Sequence, residues 1–461
     1  MLQTPAIPPP NGLPTRQRLQ AVVAIWVALA MATLDTAITN TALPTIAAGI
    51  GSDGASAIWI INAYQLAMVA ALLPLASLGE IIGHRRVCIA GLLLFTAASL
   101  ACGLSWSLAT VVAARALQGL GAAAIISVNT ALIVFVYPAR MLGRGVSLNA
   151  LVSGLAFTTG PTAASIVLSI TTWHWLFLIN VPAGLIAIGL ALRTLPDTGR
   201  PSRGFDSIAA LLCAGFFASV IFGLAAVAHR SGWPPVAAEW VIAIVCGYAL
   251  LRREAGRPAP MLAVDLFRKP GFSLSALTSV CTFATQGLAF VSLPFLLQGV
   301  MGHSQVETGY LMTSWPAVVA LMAPIAGRLS DRFSPGLLGG GGLLVLCGGM
   351  VSLALLPRNP GTTEIVWRLG LCGAGFGFFQ SPNLRALMGG APPERSGGAS
   401  GIVAAARLLG QSIGAALVAL CFSASHETGL ELALWMGSGF AAVGSVVSFL
   451  RLFPMSARLA K

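Results

Sequence analysis

One carboxylate in this sequence stands where a carboxylate is costly. Asp35 lies inside the apolar run 20–41, about six residues from its far end, and is the only acidic residue deep within any such run. A charge surrounded by hydrocarbon is rare, and it marks an ion path, a proton relay or a buried ion pair. Burial favours the protonated form of a carboxyl group and a nearby cation favours the ionised form, so a group held between the two can load and release a proton. Arg115 lies about eight residues below the far end of the run 107–136, roughly 12 Å at the helical rise, while Asp35 lies roughly 9 Å from the far end of its own run. The two fall at similar depth, which predicts a direct or water-mediated interaction. A second deep cation, Arg407, sits about ten residues into the run 397–423, with Gln411 one turn further along the same face. It reads either as a polar anchor between helices or as a contact for a passing molecule or for Asp35.

Aromatic and amide side chains recur inside the runs: Asn40, Tyr64, Gln65, Gln118, Gln286, Trp315, Phe379 and Gln380. A cavity lined in this way suits amphipathic or cationic organic molecules, through apolar burial and cation–π contacts. A single aromatic in a membrane helix more often faces lipid or a neighbour, so the expectation concerns the set. The five His lie at loops or run ends with no ligand spacing, so no metal is expected. The eight Cys fall in or beside apolar runs without metal or redox spacing and read as small buried hydrophobes. The only lysines are Lys269, followed by Pro270, and Lys461. A phosphate-cradling loop needs Lys followed by Ser or Thr, so ATP-driven transport within this chain is excluded. No His/carboxylate/Cys constellation suggests an enzyme. No cofactor is expected, and a proton gradient is the expected driving force.

The elements that must position these groups are membrane helices. Hydrophobic residues make up 56% of the 461 and charged residues only 9%, against roughly a quarter charged in an ordinary soluble domain. Soluble enzymes, secreted modules and nucleic-acid-binding domains are excluded, and the lipid bilayer is the expected solvent. Fourteen runs are long enough to cross it as helices, over 20–41, 58–78, 87–105, 107–136, 143–168, 174–194, 207–228, 234–251, 272–299, 308–328, 335–357, 363–384, 397–423 and 430–452. They are too long and continuous for barrel strands, so the class is all-α. The net charge of +12 does not point to nucleic acid, because the basic residues cluster between the runs. With the N-terminus cytoplasmic, 21 of the 26 Lys and Arg fall on inner segments and 2 on outer ones. Both termini are therefore predicted to be cytoplasmic, in a multi-pass protein of the inner or plasma membrane.

The sequence also repeats. Leu75-Ala-Ser-Leu-Gly-Glu80-Ile-Ile-Gly-His-Arg85-Arg86 and Gly327-Arg-Leu-Ser-Asp331-Arg332 close the second and tenth runs, with their acids 251 residues apart. Arg115…Gly119-Leu-Gly121 and Arg368…Gly373-Ala-Gly375 match at an offset of 253. The expected organisation is a tail over 1–19, a six-helix half over 20–195, a two-helix insert over 206–252, a linker over 253–271, a second six-helix half over 272–452 and a tail over 453–461. Repeated halves facing each other across a midplane site are how secondary transporters are built.

Across essentially the whole chain these motifs resemble the 14-helix drug:proton antiporter branch of the major facilitator superfamily. Leu34-Asp35-Thr-Ala-Ile-Thr-Asn40-Thr-Ala-Leu-Pro44 is similar to its first-span signature, and Arg115…Gln118-Gly119…Gly121 to its fourth. Gly154…Gly160-Pro161 resembles the antiporter signature of the fifth span, Trp173-His-Trp175-Leu-Phe-Leu-Ile-Asn180-Val-Pro182 the start of the sixth, and Gly401…Arg407-Leu-Leu-Gly410-Gln411…Gly414 the thirteenth. Departures are Glu80 where the family usually has Asp, His84 and His174 where it has Arg, and Ala163-Ala164-Ser165 where glycines follow. The resemblance implies proton transfer through Asp35 and Arg115. It implies a charge-paired conformational latch at Glu80, Arg85, Asp331 and Arg332, and a leak-limiting, closely packed fifth span at Gly154, Gly160 and Pro161. The implied function is proton-coupled antiport exporting amphipathic or cationic organic compounds, as in multidrug or antiseptic efflux and antibiotic resistance. Export of an endogenous metabolite and passive facilitation are the alternatives. A single copy is expected, and a periplasmic adaptor stays an open alternative although no long extramembrane domain marks one.

Overall fold

A computed structural model describes residues 12–138, 141–198, 206–228, 233–254, 264–357, 360–390, 396–424 and 428–453. Most of the two expected tails and residues 255–263 of the expected linker lie outside the described residues, as do Arg140, Arg200, Arg203, Arg230, Arg257, Arg358, Arg395, Arg458 and Lys461. Hydrocarbon offers no partners for backbone N–H and C=O groups, so the chain satisfies them within helices, and the described residues contain no strand. In order these are α1 (Thr15–Gly49), α2 (Gly54–Ala57), α3 (Trp59–Ile82), α4 (His84–Gly103), α5 (Leu108–Val136), α6 (Leu142–Ile170), α7 (Trp175–Leu178), α8 (Asn180–Thr194), α9 (Ser207–Ala228) and α10 (Trp233–Glu254). They continue as α11 (Pro270–Phe295), α12 (Gln305–Leu329), α13 (Pro335–Ala354), α14 (Thr362–Gly390), α15 (Ser396–Ala424) and α16 (Gly429–Leu450).

Several boundaries are written locally. Ser107 and Thr110 form a reciprocal capping box that opens α5, and Ser304 with Glu307 opens α12 in the same way. Pro270 and Pro335 begin α11 and α13, where a missing N–H costs nothing. Between α3 and α4 the chain turns at Gly83 with φ 99°, a conformation that strains any residue bearing a Cβ.

Each expected run falls on a helix, but among the described residues twelve helices are long and apolar enough to cross a membrane, against the fourteen expected. Among the described residues of α9 the apolar stretch is Ser207–Gly223, below that length. α14 carries Glu364, Arg368, Gln380, Asn383 and Arg385, which dilute its hydropathy. Large side chains such as Leu93, Ile186 and Ile244 face outward, as the surface of a helix in lipid does, and the exposed Trp106 and Trp233 stand at helix ends.

Two sets of helices share one wiring. α1 packs on α6 and α8, α3 on α5, and α4 on α5 and α8; α11 packs on α15 and α16, α12 on α14, and α13 on α14 and α16. Small residues let the backbones approach. A Cβ on Gly119 would press on the Tyr64 carbonyl, and one on Gly373 on the Trp315 carbonyl. Gly121 likewise lies against Phe95 and Gly91, and Gly375 against Leu346 and Gly342. These counterparts are separated by 251 or 254 residues, the spacing of the sequence repeat.

The sets meet through α6 with α12, α3 with α15, and α1 with α11. α6 and α12 run antiparallel: Thr158 Oγ1 donates to Pro316 O (3.4 Å), the Thr162 and Thr313 hydroxyls pair at 2.7 Å, and Ser165 Oγ donates to Gln305 O (3.4 Å). Gln305 also donates to Leu168 O (3.2 Å), and Thr45 donates to Gln305 Oε1 (3.1 Å) and Gln298 Oε1 (3.4 Å). All these bonds lie in the half of the molecule away from the starts of α1 and α13. Gly336 of α13 abuts Arg451 and Leu452 beyond α16, which places the start of α1 and the end of α16 at one end of the bundle. Among the described residues the two sets are hydrogen-bonded to each other only toward the opposite, far end. α9 lies against α3 and α15, α10 lies on α9, and Arg253 Nε pairs with Asp206 at 3.0 Å across their base.

Candidate functional site

Asp35 sits on the buried face of α1, between α5 and α8, with 1% of its surface exposed. Its Oδ2 accepts from Arg115 Nη1 at 2.5 Å. Its Oδ1 accepts from Gln118 Nε2 at 2.8 Å and from Asn180 Nδ2 at 2.9 Å. Arg115, one turn before Gln118 on α5, is equally buried. Its Nη1 also donates to Gln118 Oε1 (2.6 Å), its Nε donates to Ile60 O (3.2 Å), and its guanidinium carbon lies 4.0 Å from the centroid of the Tyr64 ring. Gln118 reaches on to Ser99 Oγ at 2.8 Å. A dry ion pair offsets its desolvation only when its remaining hydrogen-bonding positions are also met, and here four helices and an aromatic face meet them.

The depth matching of Asp35 and Arg115 is thus a direct contact. Gln118, expected in the cavity lining, belongs instead to this cluster, and Tyr64 serves as its aromatic floor. Asn180 and Ser99 complete it. Asn180 stood inside the Trp173–Pro182 motif, but nothing in the sequence brings the start of α8 to the level of Asp35 until the short α7 and its break are known. Ser99 carried no signal beyond being a hydroxyl in an apolar run.

Beside the cluster, where the two sets face each other, lies a small cavity of about 10 Å³, room for about one water molecule, bordered by Asn40, Gln65, Phe157, Gln286, Phe290 and Gln411. Drug-sized ligands occupy pockets of about 300–1,000 Å³, so the molecule is drawn close around this point. Gln411 Nε2 donates to Gln286 Oε1 at 3.0 Å. The oxygens of Asn40 and Gln65 are buried without a partner. Trp315 stands behind this lining, fully buried with its ring 5.4 Å from that of Phe290. Phe379 is buried beside Phe376, their rings 6.3 Å apart, and Gln380 is exposed. Arg407 is eleven residues into α15, one turn from Gln411, partly buried, and its Nε has no hydrogen-bond partner. An Arg at the centre of a membrane helix costs about 2.5–3.5 kcal/mol, and no acid among the described residues pairs with it.

The remaining expected residues lie elsewhere. Glu80 is exposed in the last turn of α3, and Arg85 opens α4 with its guanidinium donating to Leu192 O at 2.5 Å. Asp331 pairs with Arg385 of α14 at 2.5 Å, both exposed, while its neighbour Arg332 is exposed in the turn. Gly160 is packed so closely on Ala37, two residues from Asp35, that a Cβ there would overlap it, whereas Gly154 faces open space. Pro161 is buried in α6, and its carbonyl lies where a Cβ on Gly309 of α12 would fall. At the termini-bearing end Arg451 donates to Asn383 Oδ1 at 2.8 Å, and Asn383 in turn donates to Ser279 Oγ at 2.8 Å on α11. Burial pushes the Arg451 guanidinium down to about 10, which leaves it charged at neutral pH.

Comparison with known proteins places these features in context. Residues 25–415 match the family described as Major Facilitator Superfamily. The chain is 48% identical over 444 residues to the uncharacterized transporter YebQ of Escherichia coli, covering 96% of this chain and 97% of that protein. It is 31% identical over 433 residues to the multidrug resistance protein Stp of Mycobacterium tuberculosis, covering 91% of this chain and 79% of that protein. Among solved structures, a bacterial homolog of the human lysosomal transporter Spinster, in an inward-facing and occupied conformation, superposes with a TM-score of 0.66 at 14% identity, over 95% of this chain and 98% of that one.

Proposed function

The chain belongs to the major facilitator superfamily, and from that premise we propose that it is a proton-coupled antiporter of the 14-helix drug:proton branch, exporting amphipathic organic compounds by alternating access. In this reading α9 and α14 also span the bilayer, residues 20–195 and 272–452 form homologous halves around the 206–252 insert, and both termini are cytoplasmic. The shared wiring of the two helix sets, the repeated glycine contacts and the multidrug resistance protein among the relatives support it.

The observation that carries the reading is the buried Asp35–Arg115 pair. With Asp35 ionised, α1, α5 and α8 are tied to one carboxylate. A proton arriving from the far side neutralises it, removes the ion pair and leaves Arg115 on Ile60 O, Gln118 and the Tyr64 face. α1 carries that change in two further places. Asn40 borders the cavity and Thr45 the far-end seal, roughly 7 Å and 15 Å along the helix from Asp35. Loss of the proton toward the cytoplasm resets the site. Asp331 with Arg385, and Glu80 with Arg85, act at the termini-bearing end as a latch for the outward-facing state.

Transport of a dye by purified protein in liposomes, with and without an imposed pH gradient, tests the proposal. Uphill movement that collapses with the gradient is expected. Equilibration indifferent to the gradient would make the protein a passive facilitator. Internal accumulation of a metabolite on deletion, without hypersensitivity to a compound panel, would identify an endogenous cargo.

A further inference from the structure

The cavity between the helix sets has an unusual chemical inventory for a cation exporter. Four of its lining side chains are carboxamides, Asn40, Gln65, Gln286 and Gln411, and Phe157 and Phe290 supply rings whose centroids are 5.4 Å apart. No carboxylate borders it. Asp35 is enclosed by its own three donors and is not in the lining. Glu239, within α10, faces α9 beside Gly223, away from the seam between the sets.

Two of the amides are left unfinished. Asn40 and Gln65 are 7% and 2% exposed, and each has a buried oxygen with no partner. A buried polar atom without a partner is uncommon in a folded protein and calls for a ligand or water to complete it. The charge inventory leans the same way. One turn from Gln411, toward the termini-bearing end where the sets are not hydrogen-bonded to each other, stands Arg407, with no acid to neutralise it among the described residues. A carboxamide both donates and accepts, so a ring of four recognises a molecule that carries both functions along its edge. Phenyl rings on the walls favour a flat apolar face.

We propose that the cargo class is planar aromatic compounds with several hydrogen-bond donors and acceptors and no cationic centre, held by Asn40, Gln65, Gln286 and Gln411, with an acidic substituent directed to Arg407. This rests on the transport reading above and narrows it, since amphipathic cations then lose their place as preferred cargo. A cation in this site would meet Arg407 without a carboxylate to offset the repulsion.

Equilibrium binding to the purified full chain in detergent tests this without requiring transport. Fluorescein and rhodamine 123 share the xanthene scaffold and differ in charge, and acridone is a neutral planar ring system with one donor and one acceptor. Fluorescein should bind at least about tenfold tighter than rhodamine 123. Arg407→Gln should weaken fluorescein by about tenfold to a hundredfold, the range for a hydrogen bond to a charged group, and leave acridone unchanged. Unchanged acridone binding also reports that the variant is folded, and Arg407→Lys, which keeps the charge, should retain the preference for fluorescein. Gln65→Leu should weaken fluorescein and acridone together. Rhodamine 123 binding as tightly as fluorescein, or fluorescein binding indifferent to Arg407→Gln, would overturn the proposal. Repeating the dyes in liposomes separates the two claims. Selective fluorescein binding without gradient-driven export sinks antiport and leaves the cargo class standing, while gradient-driven export of rhodamine 123 alone does the reverse.

Discussion

Replacing Asp35 by Asn keeps the size of the side chain and removes its charge. In the structure that change reaches further than titration. Asp35 accepts from Arg115, Gln118 and Asn180, and all four groups are at most 3% exposed. An Asn presents one amide nitrogen where a carboxylate oxygen accepted, so at least one donor then faces a donor. Arg115 becomes a buried cation whose remaining partners, Gln118 Oε1, Ile60 O and the Tyr64 ring, are all neutral. Removing one member of a buried pair costs about 3–5 kcal/mol. The variant is therefore expected to insert but to unfold earlier than wild type in detergent by that amount, and to lose pH-driven uphill transport. The double variant Asp35→Asn/Arg115→Gln carries no stranded charge, so most of the stability should return, with a coupling of about 3 kcal/mol between the sites, while uphill transport stays lost. Thermal unfolding of the four proteins together with transport in liposomes reads both quantities. A single Asn variant as stable as wild type, with no rescue in the double, would refute the claim that the ion pair holds α1 to α5. Wild-type uphill transport in the Asn variant would place the coupling group elsewhere.

Other expectations concern packing, closure and topology. Gly160→Ala must push α6 away from Ala37 on α1 and should cost about 1–3 kcal/mol as overpacking does, whereas Gly154→Ala should leave the melting temperature unchanged; equal effects would show that this part of α6 is packed differently. Gln305→Leu removes hydrogen bonds to Thr45 and Leu168 at the far end, at about 1 kcal/mol each, so distance measurements between spin labels on α1 and α12 should show a larger population with that end open. Asp331→Asn breaks an exposed pair with Arg385 and should change stability by less than about 1 kcal/mol, yet it should shift the distribution of distances at the termini-bearing end. An enzyme reporter fused after Lys461 should be active only as a cytoplasmic reporter, and periplasmic activity would mean an odd number of spans.

The parts of this molecule that follow from counting were readable in advance. Apolar run length marked where the helices lie, and residue rise from the run ends brought Asp35 to the level of Arg115 before any contact was seen. The repeat offset that joined Glu80 to Asp331 in sequence reappears in the glycine contacts of Gly119 and Gly373. What stayed hidden depends on which way a helix faces. Trp315 and Phe379 have the chemistry of a cavity wall, but their helices turn them into the packed interior, and Gln380 is turned outward. Asp331 stands next to Arg332 in the chain, yet the turn directs it to Arg385, 54 residues on. Asn180 reaches Asp35 only because the chain breaks between α7 and α8, a local event too short for any periodicity to reveal. The span count differs at α14 because Glu364, Arg368, Gln380, Asn383 and Arg385 lower its mean hydropathy, and of these only Asn383 is fully buried.

The placement of α9 makes the two seams of the bundle unequal. On one side α9 covers the line where α3 meets α15, and α10 backs it. On the other, α6 meets α12, and the contacts of α9 and α10 lie elsewhere. Acyl chains therefore lap directly against only one of the two junctions. On the half of α6 and α12 nearer the termini-bearing end, Leu151, Leu155, Leu321 and Ile325 are exposed, so the uncovered flank presents large apolar side chains outward. The paired helices thus make the bundle lopsided, with one junction between the helix sets covered by α9 and the other left without a comparable cover.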